Sequence, residues 1–333
     1  MRDRERVENR RKMATTFAAV AEDFLTKYVD VELVKKADCR RMIMNDYVAR
    51  FGALPIKEVT TDHIADAVRI VAARSHSSAH ISFSNVRRMY SWAIGQRTYG
   101  IEANPCAPIE PTILIAKRVV RSRFLSGAEL QKVWQAADQE GYAFGCLVKL
   151  LILTGQRLRE CANATWSEID FEVKLWTIPK ARMKGERDHV IPLAPMALEL
   201  LKSLPRWNKG NYVFAMRSGA KPYTGFPKGK VRIDKLSGVG NGDSDHWFLH
   251  DLRGTTRSNL SALAIEDRVR EAMIAHAQPG MHQVYNVYDY QDEKRRGFTL
   301  WEQRLSGFIN PKPPATVADL SVVRRKQLPA RVA

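Results

Sequence analysis

Cysteine is scarce, and its placement narrows the classes open to this chain. Four occur in 333 residues, Cys39, Cys106, Cys146 and Cys161, and no two form a CxxC pair. A CxxC-type zinc site is excluded, a disulfide framework is disfavoured, and reduced buried thiols are the expectation. Long apolar runs are missing too: none approaches the ~20 residues of a spanning helix. The opening MRDRERVENRRKM lacks the apolar core of a signal peptide, so the protein is expected to stay in the cytoplasm. No internal repeat is present, which excludes a solenoid. Acidic residues are the minority charge, with 36 Asp and Glu against 53 Lys and Arg, for a net charge of +17.

What is present is a 45% hydrophobic composition, that of a globular protein, at a length that points to two domains. The excess of basic residues points to a polyanion. Split at Val120, the chain carries 20 basic against 14 acidic residues before and 33 against 22 after, or +6 and +11. Because both halves are basic, a partner touching both, such as a duplex, fits better than a single basic tail. A basic solvated face is the plainer alternative.

Periodicity supplies the elements. Residues 1–14 read as a basic stub. From Thr15, Phe17, Val20, Ala21, Phe24 and Leu25 recur at helical spacing. A second helix covers roughly 37–51 and stops at Gly52, and a third follows Thr61 through Ile64, Val68 and Val71. The fourth, SAHISFSNVRRMYSWAIGQ, carries an apolar stripe of Ile81, Val86, Met89, Tyr90, Trp92 and Ile94. Residues 15–108 thus form an all-helical domain. Ser78, His80, Arg87 and Arg88 on the fourth helix are candidates for phosphate or groove contacts, against the plainer reading of a solvated face.

The stretch 109–124, rich in proline at its start and basic at its end, reads as the linker, and Lys117, Arg118 and Arg121 on it are further candidates for a DNA backbone. A capping box, Ser126 with Glu129, opens the second domain, 125–308. FGCLVKLLILTG is apolar nearly all round, hence a core helix. EIDFE, KLWTIP and DHVIPL alternate as short strands, the last two closing a hairpin over KARMKGER. Helices follow at 194–204, near 228–236 and at EKRRGFTLWEQRLSGFI, and 309–333 is a proline-led tail.

Between the last two of these helices lies HDLRGTTRSNLSALAIEDRVREAMIAHAQPGMHQVY. Its His250 and Arg253 lie three apart and share a helical face, and His276 stands nine residues before Tyr285. None of these spacings suits a metal. Arg and His as donors with a Tyr to attack suit a site that holds one phosphate. Two earlier boxes add to it: TGQRLRE, with Arg157 and Glu160, and the hairpin loop, with Lys184.

TGQRLRE, MKGERDHVIPL, HDLRGT and IAHAQPGMHQVYNVYDYQDEKRRGFTLW resemble, in order and context, the boxes of the tyrosine recombinases, in particular the phage and genomic-island integrases of the P4-like subgroup. The likeness covers roughly residues 15–308 and includes the Asn104–Pro105 that ends the first domain. It departs at Leu158 and Arg159, where a small residue usually follows the first arginine, at Gly254, where a second arginine is common, and at IAH in place of Leu-Gly-His. Related island integrases often carry a further N-terminal domain for arm-type sites. The basic stub would be all that corresponds to it here, so either core sites alone are recognised or the start is truncated.

The resemblance implies a mainly α fold: a helical, SAM-like core-binding domain, then a mixed, mostly helical catalytic domain with a small antiparallel β-sheet, the DNA breaking-rejoining enzyme fold. It implies a site-specific recombinase that joins DNA to Tyr285 through a 3′-phosphotyrosyl bond. Arg157 and Arg253 would clamp the phosphate, Lys184 would protonate the leaving 5′ oxygen, His250 and His276 would assist, and Glu160 would orient its neighbours. Lys180 and Arg182 rival Lys184, and Tyr288 and Tyr290 rival Tyr285. No cofactor, metal or nucleotide is called for. Implied partners are double-stranded attachment sites and a homotetramer in synapsis, with a DNA-bending protein and an excisionase as accessory factors at the nucleoid. A type IB topoisomerase-like enzyme and a catalytically weak DNA-binding accessory protein are the alternatives.

Overall fold

The computed structural model describes residues 15–33, 35–117, 122–183, 187–216, 218–240, 242, 246–276 and 289–311. The basic stub and the tail beyond Pro311 lie outside them. The chain divides into two compact units, 1–121 and 122–333, and the division falls inside the stretch expected to link two domains.

The first unit is helical. Helix α1 (Phe17–Phe24) runs on through a wider π turn to Glu32, and α2 (Lys36–Ile43) runs on likewise to Phe51. Thr60 caps α3 (Thr61–Arg74), and Ser75 both ends that helix and caps α4 (His76–Gln96) with its hydroxyl. Phe17, Phe24, Ile43, Tyr47, Ile64, Val68, Val86 and Tyr90 are fully buried together, as their spacing predicts. Two expectations need correction. Ile81 is 45% exposed and faces away from the stripe that contains Val86 and Met89. The supposed linker is only partly one: Ile109 and Ile115 pack into this core around the short helix α5 (Pro111–Leu114).

In the second unit, α6 (Gly127–Glu140) starts at the Ser126 capping box and crosses α7 (Phe144–Thr154), which is buried on nearly every side, as its composition demands. The short helix α8 (Leu158–Ala162) follows. Then β1 (Ile169–Asp170), β2 (Leu175–Ile178) and β3 (His189–Pro192) form an antiparallel sheet in the order β1-β2-β3, with Leu175 opposite Pro192 and Ile178 opposite His189. Helix α9 (Pro195–Ser203) leads to a two-stranded sheet of β4 (Ala215–Met216) and β5 (Lys221–Pro222). Helices α10 (Phe226–Ser237), α11 (Leu249–Ser261), α12 (Asp267–Met273) and α13 (Gln291–Ile309) complete it. One core unites them, with Trp176, Trp247 and Trp301 fully buried. Cys39, Cys106 and Cys161 are buried and all four cysteines are free thiols. Among the described residues no helix is long and apolar enough to cross a membrane.

Candidate active site

The site is built outward from the turn that ends α7. Gly155 adopts φ +64°, where a side chain is strained, and a Cβ there would stand 3.0 Å from Cγ2 of Thr256. That turn frees the Gly155 carbonyl and sends Arg157 to the start of α8 in an extended conformation. Arg157 Nη1 donates to Oε1 of buried Glu160 at 2.7 Å, while its main-chain N–H donates to Oε2 at 2.9 Å. Its Nη2 donates to the carbonyl of Ala275, 118 residues later, at 3.1 Å. Arg157 thus holds a carbonyl of the distant histidine box rather than one of its own helix.

Arg253 rises from α11 and is only 6% exposed. Its Nη1 donates to the Gly155 carbonyl at 3.0 Å, and its Nη2 has no hydrogen-bond partner among the described residues. A buried guanidinium nitrogen without an acceptor is costly. Burial, and then the positive charge of Arg157, lower the Arg253 pKa to about 10. Two like charges held this close, one with a spare donor, could act together as a clamp for an anion.

His250 lies three residues before Arg253 on α11, exposed to solvent. His276 is held by Glu271: its Nδ1 lies 2.6 Å from Oε2, and its main-chain N–H donates to the Glu271 carbonyl at 2.9 Å. Glu271 is fixed in turn by Arg257, whose Nε donates to Oε1 at 2.5 Å. With the carboxylate on Nδ1, the ring presents Nε2 for work. Sequence reasoning missed Glu271 and Arg257; an acid five residues before His276 was the available signal.

Lys184 lies outside the described residues, as do Tyr285 and Tyr288. Their rivals can be placed. Arg182 is committed to the Glu168 carboxylate and the Glu160 carbonyl, so it ties the hairpin base to α8. Lys180 is exposed. Tyr290 packs against the core and interacts with Arg268.

Three polar residues that the sequence reading did not single out are buried nearby. His189 on β3 is 7% exposed, its ring interacts with the carbonyl of Met273, and its Nε2 has no hydrogen-bond partner among the described residues. Burial foremost, with Lys294 and Arg253 adding like charge, drops its pKa to about 3, so it is neutral at pH 7. Gln156 donates to the carbonyls of Thr154 and Met273, each at 2.8 Å. Lys294, 2% exposed, donates to the Val190 carbonyl at 2.8 Å and to Asp289 at 2.9 Å, and burial lowers its pKa. A histidine inside an otherwise apolar strand was the one hint.

The first-unit candidates separate. On α4, Arg87 and Arg88 are exposed, and His80, seven residues before Arg87 and so on its face, places Nε2 3.0 Å from the Ala116 carbonyl. Ser78 sits elsewhere, with Arg41, Asp46 and Arg74 around a pocket at the start of α4. Lys117 is exposed; Arg118 and Arg121 lie outside the described residues.

The chain is similar to known proteins. Prophage integrase IntA of Escherichia coli (strain K12) is 28% identical over 309 residues, covering 90% of this chain and 72% of its own length. Prophage integrase IntZ of the same strain is 27% identical over 290 residues, covering 85% and 69%. Among solved structures, a lambda integrase tetramer bound to a Holliday junction superposes with a TM-score of 0.66 at 20% identity, covering 81% of this chain and 80% of that one. The model of the phage integrase family matches residues 123–292, which spans Arg157, Arg253, His276 and the hairpin between them. That match takes in just over half of the chain and the whole of the clamp, and the chain belongs to the phage integrase family, the tyrosine site-specific recombinases.

Proposed function

We propose that this recombinase integrates or excises a mobile element by cutting and rejoining DNA through a 3′-phosphotyrosyl bond to Tyr285. The observation that carries the reading is the pair of arginines: Arg157 and Arg253 converge at one turn, and Arg253 keeps a buried donor that has no acceptor among the described residues. A phosphodiester supplies that acceptor. The Tyr285 phenolate attacks phosphorus, the bond from phosphorus to the 5′ oxygen breaks, and Lys184 gives the departing oxygen a proton. Negative charge gathering on the non-bridging oxygens meets the two guanidiniums, with His250 and Nε2 of His276 as further donors. Glu160 orients Arg157 from below. A 5′ hydroxyl from a second strand then attacks the phosphotyrosine, releases the tyrosine and reseals the DNA, so one phosphodiester is made for each one broken.

The helical unit, with His80, Arg87, Arg88 and Lys117, serves as the core-binding domain, while Ser78 together with Arg118 and Arg121 on the connecting stretch adds backbone contacts. Two double-stranded sites are held by four copies of the chain, in the manner named for the lambda integrase tetramer. A DNA-bending protein and an excisionase set the direction.

The test is a nicked suicide duplex bearing candidate sites, scored for an SDS-resistant protein–DNA adduct. Wild type forms the adduct and Tyr285→Phe does not. An adduct that survives Tyr285→Phe moves the nucleophile elsewhere, and none from wild type on any site favours a DNA-binding accessory role. Relaxation of supercoils by single copies without synapsis would point to topoisomerase-like use of the same chemistry.

A further inference from the structure

We infer that His189 and Lys294 are positioning residues, a double anchor by which strand β3 holds both flanks of the nucleophile-bearing stretch; the inference rests on the reading of Tyr285 above. Its basis lies in neighbouring residues of one strand. His189 engages the carbonyl of Met273, and the next residue, Val190, offers its carbonyl to Lys294, which also binds Asp289. In sequence, Met273 lies before residues 277–288 and Asp289 directly after them, and Tyr285 is within that stretch. The upstream flank is gripped twice more, by Gln156 on the Met273 carbonyl and by Arg157 on the Ala275 carbonyl. The same strand continues from the loop that contains Lys184. Strand β3 thus contacts residues on both borders of the stretch that contains Tyr285.

Packing alone does not ask for these residue types. A phenylalanine at 189 and a methionine at 294 would fill similar volumes without burying a polar nitrogen or desolvating an ammonium. What only the polar groups supply is directed hydrogen bonding to particular main-chain carbonyls. That is useful where a misplacement of about 1 Å costs on the order of a hundredfold in rate.

The test uses the full chain with His189→Phe, Lys294→Met and the conservative His189→Gln, which keeps an N–H for the Met273 carbonyl. Single-turnover adduct formation on the nicked duplex should fall by about tenfold or more in the first two, with duplex affinity held within about twofold. His189→Gln should recover most of the rate. Hydrogen exchange gives a readout independent of catalysis: amides of 270–276 should exchange faster in His189→Phe and those of 289–294 in Lys294→Met, while α7 keeps its protection. The inference is overturned if exchange at these flanks is unchanged, if adduct formation is unaffected, or if rate falls only in step with duplex affinity. If wild type forms no adduct, the Tyr285 reading fails by itself, and the exchange measurement still decides whether the anchors hold.

Discussion

Arg253 is the most constrained side chain of the candidate site. It is buried beside the like charge of Arg157, and its Nη2 has no hydrogen-bond partner among the described residues, so an anion placed there would be favoured. Lysine at this position keeps a positive charge but loses the planar fork that reaches the Gly155 carbonyl and a phosphate oxygen together. Arg253→Lys is expected to slow adduct formation by roughly 10²–10³-fold, the range typical of removing one donor from a pre-organised anion site. Duplex affinity should change little, because exposed cations elsewhere dominate it; single-turnover cleavage beside an anisotropy titration separates the two. At this scale Arg157, His250 and Arg253 stand out in the sequence as candidates, because their residue types and local spacing suit a phosphate. Glu271, Gln156 and Lys294 were not, since each acquires its meaning from a partner that folding brings up.

At the scale of elements, the last described helix is packed at home. Trp301, Leu305 and Ile309 of α13 enter the second unit's core, and Trp301 Nε1 donates to the Ile152 carbonyl at 2.9 Å. Glu302 on the same helix accepts from the main-chain N–H groups of Met196 at 2.8 Å and Ala197 at 3.0 Å. It therefore caps the start of α9, where Pro195 has no N–H to satisfy. Glu302→Ala leaves two main-chain donors, one of them buried, without their acceptor and removes a carboxylate from a helix N-terminus. The expected loss is about 1–3 kcal/mol, visible as a lower urea midpoint with an unchanged slope. Helix α13 was legible from its spacing, and so was the hairpin of β2 and β3. The role of Glu302 was not, because a helix's own sequence carries no record of which other helix its polar residue will cap.

At the scale of the whole molecule, the +17 charge is spread over both halves of the chain. A duplex that neutralises several of these cations releases condensed counterions. Affinity for non-specific duplex should then fall by about 10³-fold or more between 50 and 200 mM salt if some six phosphates are engaged. An anisotropy titration across salt concentrations checks this, and a nearly flat dependence would contradict it. The two-unit division was legible as a change in composition near the Asn104–Pro105 turn. Its edge was less so, because Ile109 and Ile115 pack backward into the first core although the prolines around them suggest a free linker.

What the sequence determined by itself is the set of local facts: helices where apolar residues recur every three or four positions, a hairpin where they alternate, and boxes whose residue types suit a phosphate. These are short-range properties, and a few neighbouring side chains are enough to state them. The tertiary structure alone decided which carbonyl each arginine holds, that Arg253 is buried beside Arg157, and that β3 reaches both Met273 and, through Lys294, Asp289. The physical reason is separation along the chain. Contacts that span about a hundred residues are set by how packed helices and strands meet, and burial, which shifts the charge balance of His189 and Arg253, exists only once they have met.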